Sequence, residues 1–288
     1  SVLGMLIPPS LMLILFGVLA ETSIGDLFTA GILPGLLLSA CFIIYIIFVA
    51  YRFPHRVMEN PDAEIDPGEE MGFLSATWKM APIVLLIMLV LGGIYAGWFT
   101  PTESGAVGAL GALLIAMGKR RISRSKLWEV LNETGHTTVS VLFLIISANM
   151  YGRMLALSGV TQSLGTWIGH SGLDMYPLLG IYILVILLMG TILDSSSILM
   201  IIVPLVYPVM MSMNFDPVWF GLVTVLAVEV GLITPPLGVA AYVVKSTLDD
   251  QRIGLNDVFM GAFPFVCIMV FVLALIVFFP QIALVLVK

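Results

Sequence analysis

Long apolar runs recur along this chain, at 31–51, 80–98, 105–118, 137–157, 176–193, 219–230 and 259–287. A helix that crosses the hydrocarbon of a bilayer needs about 20 apolar residues. These runs have that scale, unlike the short alternating strands of an outer-membrane barrel. Composition removes the soluble alternative. Of the 288 residues 60% are hydrophobic and 10% charged, against about a quarter charged in an ordinary soluble domain. The fold class implied is an all-α polytopic membrane protein, with the lipid bilayer as its solvent.

Charge placement orients the spans. Apart from Arg153 and Lys288, Lys and Arg gather at 52–79, 119–126 and 245–252. The positive-inside rule puts these stretches in the cytoplasm. The connections at 21–26 and 98–103 carry neither residue and fall outside. Residues 125–136 read either as a helix along the interface or as a cytoplasmic extension of the next span. Arg153 falls at an outer end, where it either snorkels or attracts an anion. Thr100, Pro101 and Glu103 fit a capping box with proline at the first helical position. Gly108, Ala112 and Ala116 then form a small-residue face for close helix packing.

Several function classes find no support. Cys41 and Cys267 lie in apolar runs and read as small hydrophobes. No Cys/His spacing suits a structural metal, and no Ser-His-Asp, phosphate-loop or zinc-hydrolase pattern occurs. The reading is a non-enzyme without a cofactor, and nothing points to nucleic acid. The chain opens at Ser1 inside an apolar segment, so it is expected to be a longer protein lacking its start.

Two segments contradict the helical pattern. "GMLIPPS" begins at Gly4 and "GLITPPL" at Gly231. The residues downstream of each also correspond: "GDLFTAGILPGLLL" at 25–38 matches "NDVFMGAFPFVCI" at 256–268 with one gap. Asp26 then stands against Asp257, Phe28 against Phe259 and Pro34 against Pro264. The first copy runs toward the outside and the second toward the cytoplasm, so the repeat is inverted. Inverted repeats with discontinuous helices are the build of secondary transporters. Proline removes an N–H and frees a carbonyl one turn earlier. In hydrocarbon such groups are tolerated only in a cavity or in protein. Carbonyls near Gly4–Leu6 and Gly231–Ile233, with the Thr234 hydroxyl, are hard oxygen ligands that suit a small cation; the alternative is a plain proline kink that serves helix packing.

The third unusual stretch is "MGTILDSSSILMIIVPLVYPVMM", 189–211. It reads as two spans with a short loop or as a re-entrant hairpin with its tip at mid-membrane. Gly190, Thr191, Asp194 and Ser195–Ser197 supply oxygens and no anchoring cation, which favours the hairpin. Asp194 either ligates a cation or caps the second arm. An aspartate in hydrocarbon costs roughly 3 kcal/mol on insertion scales, so a role is expected for it. Glu229, two residues before the second break, reads equally as a proton or cation site and as a structural hydrogen-bonded acid.

The motifs "GMLIPPS…ETSIGDLFTAGILPGLLL", "GGIYAGWFTPTESGAVGAL" and "GLITPPLGV", in this order, closely resemble the large membrane (M) subunit of TRAP transporters, the tripartite ATP-independent periplasmic carriers. The resemblance covers essentially the whole chain. It implies an elevator-type inverted-repeat carrier in the bacterial inner membrane, driven by sodium as coupling ion. The substrate implied is an organic acid anion of C4-dicarboxylate or sialic-acid type. The implied partners are a small membrane (Q) subunit and a periplasmic substrate-binding protein. By position, Asp194, Ser195, Ser196, Gly231 and Thr234 resemble one sodium site. Gly4, Ile7 and Pro8 resemble the break half of another, whose hairpin half lies upstream of this chain. Ser197 and Ser10 are candidates for substrate. The tip "DSSS" departs from the commoner form, in which proline or alanine follows the aspartate.

The organisation expected is a discontinuous helix at 1–25, scaffold spans and interfacial segments at 26–135, and a span with connector at 136–175. A re-entrant hairpin at 176–212, a second discontinuous helix at 213–250 and a last span at 251–288 complete it. The alternative function is a stand-alone divalent-anion/sodium symporter that needs no binding protein.

Overall fold

The computed structural model describes residues 3–54, 73–120, 122–170, 172, 174–235, 238–247 and 254–287. Arg56, Arg121, Pro236 and Arg252 lie outside the described residues. The helices are α1 (Leu3–Leu6), α2 (Leu11–Leu19), α3 (Ile24–Arg52), α4 (Phe73–Tyr95), α5 (Pro101–Gly118), α6 (Arg124–Ser158) and α7 (Val160–His170). They continue with α8 (Met175–Gly190), α9 (Ser195–Ser212), α10 (Pro217–Ile233), α11 (Val239–Thr247), α12 (Leu255–Phe278) and α13 (Gln281–Leu284). No strand occurs among the described residues. Among the described residues five helices, α3, α4, α6, α9 and α12, are long and apolar enough to cross a membrane. The protein is an all-α polytopic membrane protein.

The chain divides into two compact units, one of Ser1–Phe42 with Ser140–Lys288 and one of Ile43–Val139. The first is organised around α10. This helix is apolar all round, and a helix of that kind must be covered on every side. Every residue from Val218 to Ile233 is buried. Its neighbours are α1, α2, α8, α9, α11, α12 and α13. Asp216 starts it: Oδ1 accepts from the N–H groups of Val218 (3.0 Å) and Trp219 (3.1 Å), and Pro217 occupies the first turn, where its missing N–H costs nothing.

Aromatic side chains tie α10 to its neighbours. Phe220 stacks near Tyr182 of α8 at 4.9 Å between centroids, and Phe16 of α2 meets Tyr207 of α9 edge-on at 6.0 Å. Gly221 makes room for Phe16, because a Cβ there would lie 2.6 Å from the ring. Thr224 donates to the Phe220 carbonyl (2.7 Å), so its oxygen receives the Tyr182 hydroxyl (2.8 Å).

Contact order gives helix direction. Tyr182 meets Thr224 and Gly190 meets Gly231, so α8 runs parallel to α10. Trp219 reaches Ile276 whereas Gly238 lies against Phe259, so α12 runs antiparallel. The Trp219 indole N–H donates to the Ile276 carbonyl at 2.8 Å. That carbonyl's helical donor would be residue 280, a proline without N–H. The apolar run at 259–287 therefore does not form one helix: α12 ends at Phe278 and α13 starts beyond Pro280.

Residues 125–136 belong to α6, one continuous helix of 35 residues that runs without a break into the apolar run at 137–157. Gly159, at φ 73°, ends it in the left-handed conformation that favours glycine. The separate amphipathic α7 beyond it is not apparent from the apolar runs.

In the second unit Thr100 and Glu103 form the expected capping box. The Glu103 carboxylate accepts from Thr100 N–H (2.8 Å), and the Thr100 hydroxyl oxygen accepts from Glu103 N–H (3.3 Å). The small-residue face is used against α4. A Cβ at Gly108 would lie 3.0 Å from Val90, one at Gly111 2.6 Å from Leu86. Ala112 and Ala116 border a space of about 240 Å³ beside Pro82 and Leu86.

Trp219→Phe keeps the buried ring and deletes the donor. An unsatisfied buried carbonyl costs roughly 1–3 kcal/mol, so the variant is expected to unfold at lower temperature in detergent. An unchanged midpoint would show that Ile276 has another donor.

Candidate functional site

Both Gly-to-Pro-Pro segments interrupt their helices. At the first, α1 ends at Leu6 and α2 begins at Leu11. Gly4 and Met5 carbonyls have proline four residues on, so neither finds a helical donor. The Ser10 hydroxyl donates to Met5 O, and its oxygen accepts Leu13 N–H at 3.3 Å. Ser10 is fully buried as the N-cap of α2. Among the described residues Gly4 O keeps no such partner. Helix α3 closes on this break: a Cβ at Gly31 would lie 2.9 Å from Leu6 O, and one at Gly35 2.7 Å from the Ile7 side chain. Pro8 is buried beside them and Ile7 half-buried.

At the second break α10 ends at Ile233 and α11 begins at Val239. Pro235 and Pro236 leave Gly231 O and Leu232 O without helical donors. The Thr234 N–H turns back to Gly231 O (3.1 Å), and the Thr234 hydroxyl donates to Val230 O (2.6 Å). The hydroxyl oxygen of Thr234 therefore keeps lone pairs for a ligand, and so does Gly231 O, since a carbonyl accepts twice.

The stretch at 189–211 forms a tight helical hairpin, α8, a turn at 191–193, then α9. Asp194 caps α9: Oδ2 accepts from the N–H groups of Ser196 (3.0 Å) and Ser197 (3.2 Å), and Oδ1 from the Ser197 hydroxyl. The capping alternative is thus realised. It leaves room for a cation, because a carboxylate offers about four lone-pair positions. Ser195 is buried, Ser196 and Ser197 half-buried, and Asp194 exposed.

Tip and break meet backbone to backbone. A Cβ on Gly190 would lie 2.6 Å from Gly231 Cα, and one on Gly231 2.8 Å from Gly190 Cα. Only glycine permits that approach. Asp194 and Ser195 then share the wall of a cavity of about 600 Å³ with Leu232 and Ile233 of α10, and Leu3 and Met5 of α1. Its other walls are apolar, from α11, α12 and Phe42 of α3. These walls escape sequence reasoning, since nothing marks apolar residues of a span as cavity lining.

The C-terminal ends of α8 and α10 meet here, and α1 reaches the same cavity. Helix C-termini carry partial negative charge and free carbonyls, which favour a cation. Among the described residues no group of three or more His, Cys, Asp or Glu gathers for a metal. The donor set is peptide and hydroxyl oxygen with one carboxylate, which suits a hard cation.

Other candidates sit apart. Ser197 borders a separate space of about 280 Å³ with Ser147 and Tyr151 of α6. Neither it nor Ser10 is on the 600 Å³ cavity wall. Glu229 is 1% exposed and its Oε1 has no hydrogen-bond partner among the described residues. Arg153 is exposed on α6.

Comparison with known proteins gives this geometry a family. Residues 1–282 match the family described as tripartite ATP-independent periplasmic transporter, DctM component. The C4-dicarboxylate TRAP transporter large permease protein DctM of Pseudomonas aeruginosa is 33% identical, over 98% of this chain and 64% of its own length. The sialic acid TRAP transporter large permease protein SiaM of Vibrio cholerae is 32% identical, over 99% of this chain and 65% of its own. The isethionate TRAP transporter permease protein DctMQ of Oleidesulfovibrio alaskensis is 28% identical, over 97% of this chain and 43% of its own. The chain thus spans a little under two thirds of DctM and SiaM. Helical architecture, paired breaks and a match along nearly every residue agree: this multi-pass inner-membrane chain belongs to the DctM component family of TRAP transporters.

Proposed function

We propose that this chain is the carrier part of a TRAP permease that takes up an organic acid anion with sodium. One sodium ion sits between the hairpin tip, Asp194, Ser195 and Ser196, and the second break, Gly231 and Thr234. The first break, at Gly4, Ile7 and Pro8, contributes to another. The observation that carries the reading is the contact of Gly190 with Gly231, which sets the tip against the unsatisfied end of α10.

Helix length supports a re-entrant hairpin. At 1.5 Å per residue, α8 with 16 residues and α10 with 17 extend about 25 Å, short of a hydrocarbon core of about 30 Å. They run in parallel and end together, while α11 continues beyond the break. An element that stops where its neighbour breaks stops inside the membrane. The opposite courses of α2 and α10 support the inverted repeat: Phe16 meets Gly221, while Leu3 and Met5 share a wall with Leu232 and Ile233.

The substrate anion occupies the cavity beside the cation. Ser197, in the first turn of α9, and Ser10, at the start of α2, stand off that wall, and the N–H groups beside them are taken by Asp194 and Ser10, so the bound cation rather than these serines holds the anion there. The two breaks and the hairpin move as one body in an elevator cycle against the remaining spans. The Thr22 hydroxyl contact with Tyr207 (3.2 Å) and that of Tyr182 with Thr224 (2.8 Å) support a common body. The relatives' names supply the substrate type, C4-dicarboxylate, sialic acid or isethionate, and the name DctMQ supports a small Q subunit as partner. A periplasmic binding protein delivers the substrate. Each sodium ion entering gains about 2.3 kcal/mol per 100 mV of membrane potential, which drives accumulation.

Asp194→Asn tests the reading, because asparagine caps a helix as well as aspartate but brings no charge. In the complete protein the variant is expected to match the wild type in thermal stability in potassium. It should lose the extra stability that sodium gives, and sodium-driven uptake into liposomes containing the Q subunit and binding protein. Asp194→Ala should lose these and also about 1 kcal/mol of cap. Sodium-dependent stability and uptake that persist in Asp194→Asn would overturn the site.

A further inference from the structure

Resting on the sodium-carrier reading, we propose that Gly190 is a positioning residue whose missing side chain sets the spacing between hairpin tip and second break, and so the size of cation held there. Gly190 makes its contact through backbone at the last residue of α8, and Asp194 begins the opposite arm four residues later. The turn between is tight: the Met189 carbonyl accepts from the N–H groups of Ile192 (3.0 Å) and Leu193 (2.9 Å), and the Thr191 hydroxyl donates to Leu188 O (2.8 Å). The turn therefore passes displacement of Gly190 directly to Asp194.

The opposing atoms cannot give way. A methyl at Gly190 would lie 2.6 Å from Gly231 Cα, 2.9 Å from Gly231 carbonyl carbon and 3.3 Å from Leu232 N, all of them backbone. Carbon atoms in comfortable contact stand about 3.5–4.0 Å apart, so the helices must separate by about 1 Å. Ligand distances tolerate only about 0.2 Å. The separation opens the site on the tip side, and a wider ring of oxygens loses preference for the smaller cation.

The contact is specific to this position. Gly180 lies on the same helix, and a Cβ there meets nothing within 4 Å. Gly231 is the reciprocal position, with a Cβ 2.8 Å from Gly190 Cα and 3.1 Å from Leu187 O.

The experiment titrates the thermal stability of the complete wild-type protein, Gly190→Ala and Gly180→Ala with sodium and with potassium, beside Asp194→Asn. Gly190→Ala is expected to raise the sodium concentration at half-effect about 10-fold or more and to narrow the difference between sodium and potassium. Gly180→Ala should match the wild type. A folded Gly190→Ala with unchanged half-effect and unchanged cation preference overturns the positioning role. The sodium site itself still stands in that case if Asp194→Asn abolishes the response. A wild type that responds equally to both cations overturns the sodium reading, and the role of Gly190 with it. If Gly190→Ala does not fold, hydrogen exchange of the wild type decides. Sodium should protect the amides of 186–193 and 229–234 together, and protection confined to 194–197 overturns the proposal.

Discussion

A buried peptide carbonyl deprived of its helical donor has to find another partner, and that requirement shapes this molecule. Pro280 frees Ile276 O, and the Trp219 indole answers it. Pro9 frees Met5 O, and Ser10 answers it while also capping the next helix. At the second break Thr234 divides its two donors between Gly231 O and Val230 O. In each case a side chain or backbone N–H or O–H stands in for a lost helical bond, which keeps a buried proline-broken helix tolerable. Among the described residues Gly4 O and Leu232 O are left without such a stand-in, one at each break.

The two breaks are not equivalent in their surroundings. Gly31 and Gly35 let α3 close on Leu6 and Ile7. The repeat places Phe265 of α12 in the position of Gly35. Phe265 lines the 600 Å³ cavity together with Ile233. A phenylalanine in place of that glycine denies α12 the close approach that α3 makes to the first break. The second break is held instead from the other side, by the hairpin through Gly190.

Much of this was legible in the sequence where the cause is local. Double prolines predict the interruptions because the missing N–H is a property of the residue. Thr100 with Glu103 predicts a helix start, and Asp194 before three serines predicts a cap, since those bonds span only a few residues. Contacts across long separations were not legible. Gly190 and Gly231 carry no shared local signal, and neither do Tyr182 and Thr224 or Trp219 and Ile276. The separation of Ser197 from Asp194 onto different cavities depends on which side of α9 faces α6. The division at Gly159 hides inside a stretch whose composition hardly changes.

Among the described residues on the cavity wall, Asp194 alone is charged. For the carrier proposed here, an organic anion arriving first meets one negative carboxylate and no lysine or arginine to offset it. The metal ion must therefore precede the acid, converting a repelling surface into an attracting one. Such a sequence of events disfavours entry of the acid by itself, through the electrostatics of one side chain.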